Sequence, residues 1–425
     1  MSSIEVIGGE QLKGEIKIQG SKNAALPIIA ATILNKGITI LKNCPKILDV
    51  FHMINVLEEL GCHTTWAGNN LIVDTTTIAG SCVSESSVRK MRSSILFLGA
   101  LLGRCGEVTI SYPGGCSIGK RPIDYHLKSL KKMNIMQEFL GEDDSIIHCY
   151  SDKITGNDIF LEFPSVGATQ NVILSATLSE GITRIFNAAR EPEVMELCNY
   201  LVEAGARICG KGSAFIEVEG VKSLHDVEFT LSPDRIVAGT YMTAIAATRG
   251  EAVLLDTPIR QIDSIIRILR KTGCYIKAEE DNVRICCKGR PHPIELLKTQ
   301  PYPGFPTDMQ SQMMTVLCLA DGKSTIQEEI FESRYQNVEE LRRMRAIISL
   351  EATGNKAVIS GVKQLSGAIV KAHDLRGGAA MVIAGLAAQG TTIIREASCI
   401  DRGYEDICRD FALLGANIRY CSENA

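Results

Sequence analysis

Residues 111–124 combine one thiol with two cations on a loop rich in glycine and proline. The thiol is Cys116, and Lys120 and Arg121 follow it closely. Glycine and proline at this density exclude a helix or a central strand, so we expect a solvent-facing loop whose backbone can approach a ligand. A thiol beside fixed positive charge ionises readily and can act as proton donor or nucleophile. The alternative is an ordinary surface turn with an incidental cysteine.

Cations also stand at the starts of several apolar, helix-length segments. The helix dipole places partial positive charge at the amino terminus, so a cation there is unfavourable unless something else holds it. We therefore interpret Lys22, Arg92, Arg235 and Arg376 as candidates for ligand binding or for contacts between domains. Ser, Thr and Asp at such starts, Asp308 among them, have two interpretations: simple helix caps, or parts of an anion-binding helix terminus.

The composition restricts the class of protein. A chain of 425 residues is too long for one typical core, and its charge balance of 45 basic against 49 acidic residues gives −4. This mild charge supports neither a nucleic-acid nor a membrane partner. Fifteen cysteines without a Cys-x-x-Cys pair indicate reduced thiols rather than a disulfide framework or a zinc site. With no visible signal peptide and no apolar stretch of about 20 residues, we expect a soluble cytoplasmic protein.

A glycine followed by a strand-like run of Thr, Val or Ile recurs along the chain, which indicates an internal repeat. A helix-length apolar segment precedes each glycine, as expected for a buried helix, and a helix with a one-sided apolar stripe follows. The six glycines are 69, 75, 69, 72 and 68 residues apart by subtraction: Gly37, Gly106, Gly181, Gly250, Gly322 and Gly390. The six apolar segments are residues 23–34, 92–102, 168–178, 235–247, 309–319 and 377–388.

Most of the one-sided helices end in a glycine that suits a left-handed backbone, and in several repeats a hairpin follows. These glycines are Gly61, Gly205, Gly273 and Gly415. Two repeats have Asn134 and Arg345 at the corresponding place, and we interpret these as altered outer loops.

Six such units predict an α/β protein with two similar lobes and a cleft between them. We assign three repeats to residues 21–231, with the Cys116 loop, and three to residues 1–20 plus 232–425, with Asp308 and Arg402. Alternating residues at positions 15–18 predict a strand that the first twenty residues contribute to the second lobe. Helix starts that face the cleft would attract anions.

Six motifs, in order along nearly the whole chain, resemble those of the enolpyruvyl transferases, and specifically of the members that use UDP-N-acetylglucosamine. Any one motif is weak alone, but together they are specific. The motifs are Gly20-Ser21-Lys22-Asn23-Ala24-Ala25, Pro113-Gly114-Gly115-Cys116 with Arg121-Pro122, Ser165-Val166-Gly167-Ala168-Thr169, Ala189-Arg190-Glu191-Pro192-Glu193, Tyr302-Pro303-Gly304-Phe305-Pro306-Thr307-Asp308-Met309-Gln310, and Asp401-Arg402-Gly403-Tyr404-Glu405.

The resemblance implies a fold and a reaction. The fold is a two-lobed inside-out α/β barrel of six βαβαββ repeats, with its active site in the interdomain cleft. The reaction moves the enolpyruvyl group of phosphoenolpyruvate to the 3-hydroxyl of UDP-N-acetylglucosamine and releases phosphate, in the first committed step of peptidoglycan synthesis. It implies no metal and no organic cofactor.

The resemblance also implies roles for individual residues. Cys116 is expected to donate the proton and to be the covalent target of fosfomycin, and Asp308 to lie at the sugar hydroxyl as general base. Lys22, Arg121 and Arg402 are expected to hold phosphoenolpyruvate, and Arg376 to support them. The expected contacts of the UDP-sugar are Asn23, Arg92, Arg121, Pro122, Ile123, Asp124, Tyr125, Ser165, Val166, Gly167 and Ile330.

Two alternatives stay open. One is the related transferase that acts on shikimate 3-phosphate, although the Pro-Gly-Gly-Cys loop speaks against it. The other is a catalytically silent paralogue that senses a UDP-sugar, although the presence of Lys22, Cys116, Arg121, Asp308 and Arg402 together favours turnover.

Overall fold

A computed structural model describes residues 2–114, 123–141 and 145–422. The helices are α1 (Lys22–Ala31), α2 (Leu48–Glu59), α3 (Glu85–Val88), α4 (Leu96–Cys105), α5 (Asp124–Lys132), α6 (Val166–Ala176), α7 (Pro192–Glu203), α8 (Arg235–Ala247), α9 (Asp263–Lys271), α10 (Gln310–Cys318), α11 (Val338–Arg343), α12 (Leu375–Ala387) and α13 (Ile407–Leu413). Short 3₁₀ helices span Thr32–Leu34, Arg92–Ile95, Ile259–Gln261, Thr307–Met309 and Ala397–Arg402.

The strands are short, and most belong to four- or five-stranded sheets. They are β1 (Ser2–Gly8), β2 (Lys13–Lys17), β3 (Ile38–Lys42), β4 (His63–Ala67), β5 (Asn70–Asp74), β6 (Glu107–Ser111), β7 (Met136–Leu140), β8 (Ile146–Tyr150), β9 (Asp158–Phe160), β10 (Ile182–Phe186), β11 (Arg207–Cys209), β12 (Phe215–Glu219), β13 (Val227–Thr230), β14 (Glu251–Leu255), β15 (Tyr275–Glu279), β16 (Asn282–Cys286), β17 (Leu297–Lys298), β18 (Lys323–Gln327), β19 (Ile347–Leu350), β20 (Lys356–Ser360), β21 (Leu365–Ser366), β22 (Ile369–Lys371), β23 (Ala388–Arg395) and β24 (Asn417–Ser422).

The described residues form two units. The N-terminal unit contains residues 20–114, 123–141 and 145–232, and the C-terminal unit contains residues 2–19 and 233–422. Each unit has its own hydrophobic core of buried residues.

The apolar helices predicted before each repeat glycine are present and buried. They are α1, α4 and α6 in the N-terminal unit and α8, α10 and α12 in the C-terminal unit. Every residue of α8 is buried, which explains why its sequence is apolar on all sides. Because these helices fill the centre of each unit, the sheets cover them and leave one face of each strand exposed, as the alternating burial of β3 shows.

The sheets follow the repeat. The strand after each of the first five repeat glycines pairs antiparallel with the second strand of the following hairpin, as β3 does with β5 and β14 with β16. In the last repeat β23 pairs instead with β1, which also pairs with β24. The predicted N-terminal strand is confirmed, since β2 pairs in parallel with β14.

The helix-ending glycines have the predicted left-handed backbone, with φ of 92° at Gly61 and 85° at Gly415. The interpretation of Asn134 and Arg345 as parts of altered outer loops is wrong as far as the backbone conformation is concerned. Asn134 and Arg345 take the same conformation, with φ of 63° and 70°. After Arg345 the bond from Ala346 N–H to Leu341 C=O (3.0 Å) reproduces the helix closure found after Gly415.

One pair of cysteines departs from the expectation of reduced thiols. Cys274 and Cys287 lie at one end of the β15–β16 hairpin and form a disulfide. No helix in the described parts of the chain combines the length and the apolarity needed to cross a bilayer.

Candidate active site

The loop at residues 111–124 is described only at its edges. Cys116, Lys120, Arg121 and Pro122 lie outside the described residues. On its N-terminal side, Gly114 packs so tightly that an added Cβ would lie 1.9 Å from the backbone oxygen of Arg89. Only glycine fits there, so this residue fixes where the loop departs from the unit.

Arg92 connects with the same edge. Its Nη1 donates to the carbonyl of Pro113 over 3.5 Å, a long bond that nevertheless places the guanidinium next to the loop. The 3₁₀ helix Arg92–Ile95 that carries it begins one residue after the buried Met91.

The start of α1 holds a buried cation. Ser21 caps the helix by accepting from the Ala24 N–H (3.3 Å), and the next residue, Lys22, forms an ion pair of 2.7 Å with Asp49. The two side chains are only 10% and 2% exposed. A buried lysine at a helix start requires such a counter-charge, because both burial and the dipole disfavour its charge. Asn23, beside it, donates weakly to Glu193 at 3.5 Å.

Two predicted sugar-nucleotide segments lie on the neighbouring helices α5 and α6. Ser165 caps α6, and its hydroxyl accepts from the Ala168 N–H at 3.4 Å. Ile123, just before α5, is buried in the core, so a contact with substrate from this residue would have to come from its backbone. Asp124 pairs with Lys128 at 3.3 Å, and the Lys128 ammonium also lies 5.8 Å from the Tyr125 ring centre.

Asp308 lies between two arginines in the C-terminal unit. Its Oδ1 accepts from Arg334 Nη2 at 2.6 Å, and its Oδ2 accepts from Arg376 Nη2 at 2.9 Å and from Nε at 3.3 Å. Both guanidinium side chains are 4% exposed, and the carboxylate is 28% exposed. The residue before the 3₁₀ helix Thr307–Met309 is Pro306, and that helix has no side-chain cap, so the interpretation of Asp308 as a helix cap is wrong.

The charges around Asp308 determine its protonation. Burial on its own would raise the pKa of this carboxyl, but the positive charges of Arg376 and Arg334, joined by Arg235, outweigh burial and hold the pKa well below its ordinary value. The Asp308 charge in turn raises the pKa of Arg376, against the effect of burial. Both oxygens of an ionised Asp308 accept from arginines, so the carboxylate is a weak base in this arrangement.

Ile330 is linked by hydrogen bonds through Glu328 to Thr307, the neighbour of Asp308. One oxygen of this buried carboxylate accepts from the Ile330 N–H at 2.9 Å, and the other accepts from the Thr307 hydroxyl at 3.0 Å. The structure thus brings three of the predicted residues of the C-terminal unit, Asp308, Ile330 and Arg376, into one bonded cluster. Arg402 is the last residue of the 3₁₀ helix Ala397–Arg402 and is half-buried.

The partners of these residues were not predicted from the sequence. Asp49 and Arg334 are the ion-pair partners of Lys22 and Asp308. Asp49 lies at the start of α2, where the sequence shows one acid in an apolar segment and nothing that indicates a partner for Lys22. Arg334 lies in the connection between β18 and α11, which has no recognisable motif. Within the described ranges, no group of three or more His, Cys, Asp or Glu side chains is arranged to hold a metal ion.

A family model for EPSP synthase (3-phosphoshikimate 1-carboxyvinyltransferase) matches residues 6–411. The chain belongs to the enolpyruvyl transferase family. This enolpyruvyl transferase is 48% identical over 418 residues to UDP-N-acetylglucosamine 1-carboxyvinyltransferase 2 of Caldanaerobacter subterraneus subsp. tengcongensis, covering 98% of this chain and 99% of the relative. It is 44% identical to UDP-N-acetylglucosamine 1-carboxyvinyltransferase of Finegoldia magna, covering 98% of each chain.

Solved structures place this enolpyruvyl transferase in the same fold. The crystal structure of the enolpyruvyl transferase NikO from Streptomyces tendae aligns with a TM-score of 0.89 at 21% identity, covering 99% of both chains. The family resemblance and the α/β fold predicted from the repeat are therefore confirmed.

Proposed function

We propose that this enolpyruvyl transferase transfers the enolpyruvyl group of phosphoenolpyruvate to the 3-hydroxyl of UDP-N-acetylglucosamine and releases phosphate. The observation that carries the proposal is the identity of 44–48% over nearly the full length to relatives named for this reaction. The product would enter peptidoglycan synthesis. The predicted cytoplasmic location and the assignment of three repeats to each lobe are part of the same proposal.

The reaction is an addition followed by an elimination. In the addition, the sugar oxygen bonds to C2 of phosphoenolpyruvate, its proton passes to a base, and C3 gains a proton. In the elimination, C3 gives up a proton, the bond from C2 to the phosphate oxygen breaks, and the double bond returns. Chemistry of this kind needs a proton donor, a base and cations that hold a phosphate and a carboxylate.

Each of these requirements has a candidate. Cys116 is the proposed donor at C3, and Lys22, Arg121 and Arg402 are the proposed cations. The buried pair of Lys22 and Asp49 supports this role, because it holds an ammonium group at the start of a helix, where anions bind favourably. Asn23, Arg92, residues 121–125, residues 165–167 and Ile330 are the proposed contacts of the sugar nucleotide.

Asp308 is the proposed base, with Arg376 as its substrate-side neighbour. The two arginine bonds make it a weak base in the ligand-free protein. An anionic substrate that accepts one of these arginines would remove part of the charge that lowers the pKa of Asp308. Such an exchange of partner by Arg334 or Arg376 would make Asp308 a stronger base when substrate binds.

Phosphate release separates the candidate functions. The purified protein is incubated with phosphoenolpyruvate and either UDP-N-acetylglucosamine or shikimate 3-phosphate, and inorganic phosphate is measured. We expect release with the sugar nucleotide only. Release with shikimate 3-phosphate would assign the related activity, and binding of the sugar nucleotide without any release would identify a silent paralogue.

Fosfomycin tests the thiol. We expect the drug to add one covalent label, detected by mass spectrometry of the intact protein, and Cys116→Ser to remove it while binding of the sugar nucleotide persists. Cys105→Ser, at an exposed thiol of the N-terminal unit, is the control and should keep the label. Labelling of the Cys116→Ser protein would place the reactive thiol elsewhere. Cys116→Asp should retain some turnover if proton transfer is the essential role.

A further inference from the structure

Glu328 is a buried carboxylate that joins two chain segments of the C-terminal unit. It follows β18 directly and is 3% exposed. Its Oε1 accepts from the N–H groups of Ile330 at 2.9 Å and Phe331 at 3.1 Å, and its Oε2 accepts from the Thr307 hydroxyl at 3.0 Å. Since a buried carboxylate is costly unless donors occupy its oxygens, these three bonds hold the side chain in one place.

The bond to Thr307 acts on the chain next to Asp308. Thr307 is the first residue of the 3₁₀ helix Thr307–Met309, and Asp308 is the second. Neighbouring residues share a planar peptide unit, so a bond that fixes the Thr307 side chain also restricts the backbone from which Asp308 projects. Glu328 therefore constrains the direction of the Asp308 carboxylate through its own chain segment.

The bond to Phe331 acts on an arginine that pairs with Asp308. The guanidinium carbon of Arg334 lies 5.5 Å from the centre of the Phe331 ring, and Arg334 Nη2 donates to Asp308 Oδ1 at 2.6 Å. A guanidinium that lies over an aromatic ring is attracted to it and is oriented by it. Glu328 thus holds the Asp308 carboxylate from two sides, through Thr307 and through the contact of Phe331 with Arg334.

The length of the Glu328 side chain allows both sets of bonds at once. An aspartate commonly accepts from the N–H groups two and three residues later, so a shorter carboxylate at position 328 could still bond Ile330 and Phe331. The same aspartate would fall short of Thr307 by about 1.5 Å, the length of one carbon–carbon bond, which puts the hydroxyl beyond hydrogen-bond distance. Only the longer side chain connects the loop to the 3₁₀ helix.

We propose that Glu328 is a positioning residue for the transfer: by linking Thr307 to the loop at residues 330–331, it fixes the Asp308 carboxylate where it can take the proton of the sugar hydroxyl. The inference rests on the proposed function, since Asp308 is the proposed base of that reaction. Glu328 acts only through Thr307 and Phe331 and takes no proton itself.

Two substitutions in the full-length protein separate the length of this side chain from its charge. Glu328→Gln keeps the length, since its amide oxygen can accept from the loop and its NH₂ can donate to the Thr307 hydroxyl. Glu328→Asp keeps the charge and the loop bonds but loses Thr307. We expect Glu328→Gln to transfer enolpyruvyl at nearly the wild-type kcat. Glu328→Asp should lower kcat by about 10- to 100-fold, the effect of a small misplacement of a catalytic group.

The KM for phosphoenolpyruvate should stay unchanged in both variants, because the cations proposed to hold it are Lys22, Arg121 and Arg402. Thermal unfolding gives the folded fraction by which each kcat is corrected. A merely structural role would lower the folded fraction and leave the corrected kcat at the wild-type value. The same two substitutions at Glu329, an exposed neighbour that pairs with Lys298 at 3.8 Å, are the matched controls and should behave like the wild type.

The outcomes separate the two proposals. If the wild type releases phosphate but Glu328→Asp has the same corrected kcat, or Glu328→Gln loses as much as Glu328→Asp, the inference about Glu328 is overturned and the proposed function stands. A Glu328→Asp protein that does not fold would assign Glu328 a structural role and overturn the inference as well. If the wild type releases no phosphate from phosphoenolpyruvate with UDP-N-acetylglucosamine, both proposals are wrong.

Discussion

At the scale of single residues, the candidate site depends on carboxylates that pair with buried cations. Asp308 pairs with two arginines that are almost fully buried, and Asp49 pairs with one buried lysine. Removing the carboxylate from such a group leaves uncompensated buried positive charge, which costs about 3–5 kcal/mol. These carboxylates therefore support the structure as well as the proposed chemistry.

The Asp308 group predicts a specific response to acid. Its folded pKa is lowered, so its contribution to stability is present above the unfolded pKa of about 4 and is lost as the pH falls towards the folded value. Arg334→Met removes one cause of the lowering. We expect this variant to lose about 1.5–3 kcal/mol near neutral pH, the usual contribution of a hydrogen bond to a charged group, and to show a smaller further loss between about pH 6 and pH 3 than the wild type.

Urea unfolding at a series of pH values measures this difference. Arg342→Met is the control, because Arg342 pairs with the exposed Glu339 and should leave the acid dependence unchanged. Equal acid dependence in the wild type and Arg334→Met would mean that Arg334 does not control the protonation of Asp308.

At the scale of elements, the residue that follows an outer helix has a left-handed backbone, and this conformation is kept even where the residue is not glycine. Glycine provides this conformation at four positions, and Asn134 and Arg345 provide it at two others. A left-handed backbone costs a residue with a Cβ about 1–2 kcal/mol, and asparagine tolerates it better than arginine. The strain at Arg345 is thus compensated by the closure of α11 and the strand that follows.

This strain predicts opposite effects at two equivalent positions. Arg345→Gly should stabilise the protein by about 0.5–1 kcal/mol, because relief of the strain exceeds the added entropy of the unfolded chain. Gly415→Ala should destabilise it by about 1 kcal/mol, although no atom lies within 4 Å of the added Cβ.

Thermal unfolding of both variants, with Gly68→Ala as a hairpin control, is the measurement. Gly68 also has a left-handed backbone (φ 63°) and open space around an added Cβ, so it should behave like Gly415. A lower melting temperature for Arg345→Gly would show that the arginine side chain, and not its backbone, is what the structure uses there.

At the scale of the whole molecule, stability is divided between two hydrophobic cores. The core of the N-terminal unit contains Leu101, and that of the C-terminal unit contains Leu317; both side chains are fully buried. Among the residues that the structure describes, none belongs to both cores.

Separate cores predict separate effects. Leu101→Ala should cost about 2–5 kcal/mol and lower hydrogen-exchange protection mainly in residues 20–232, whereas Leu317→Ala should do so mainly in residues 233–422. Exchange followed by mass spectrometry distinguishes them. Equal loss of protection throughout the chain in either variant would mean that the two units unfold as one.

Local rules explain which predictions succeeded. Ser21, Ser165, Asp234 and Asp374 accept N–H bonds at the starts of their helices, as capping chemistry predicts from the sequence. Asp308 looked identical by the same rule, yet its partners are arginines distant in sequence. The repeated elements could be predicted because the pattern of buried residues in each repeat is visible in its own sequence. The pairing of Arg334 with Asp308 could not be predicted, because it is a tertiary contact that follows no sequence period.

The position of β1 has a consequence for synthesis of the chain. This strand lies between β23 and β24, which are made after it by more than 370 residues of chain, by subtraction. At translation rates of about 5–20 residues per second, Ser2–Gly8 waits on the order of 20–80 seconds before its neighbours leave the ribosome. During that interval residues 20–232 already contain every strand of their own sheets. The nascent protein must therefore keep a hydrophobic strand unpaired, and a chaperone that binds such a strand would act on the first residues of this chain.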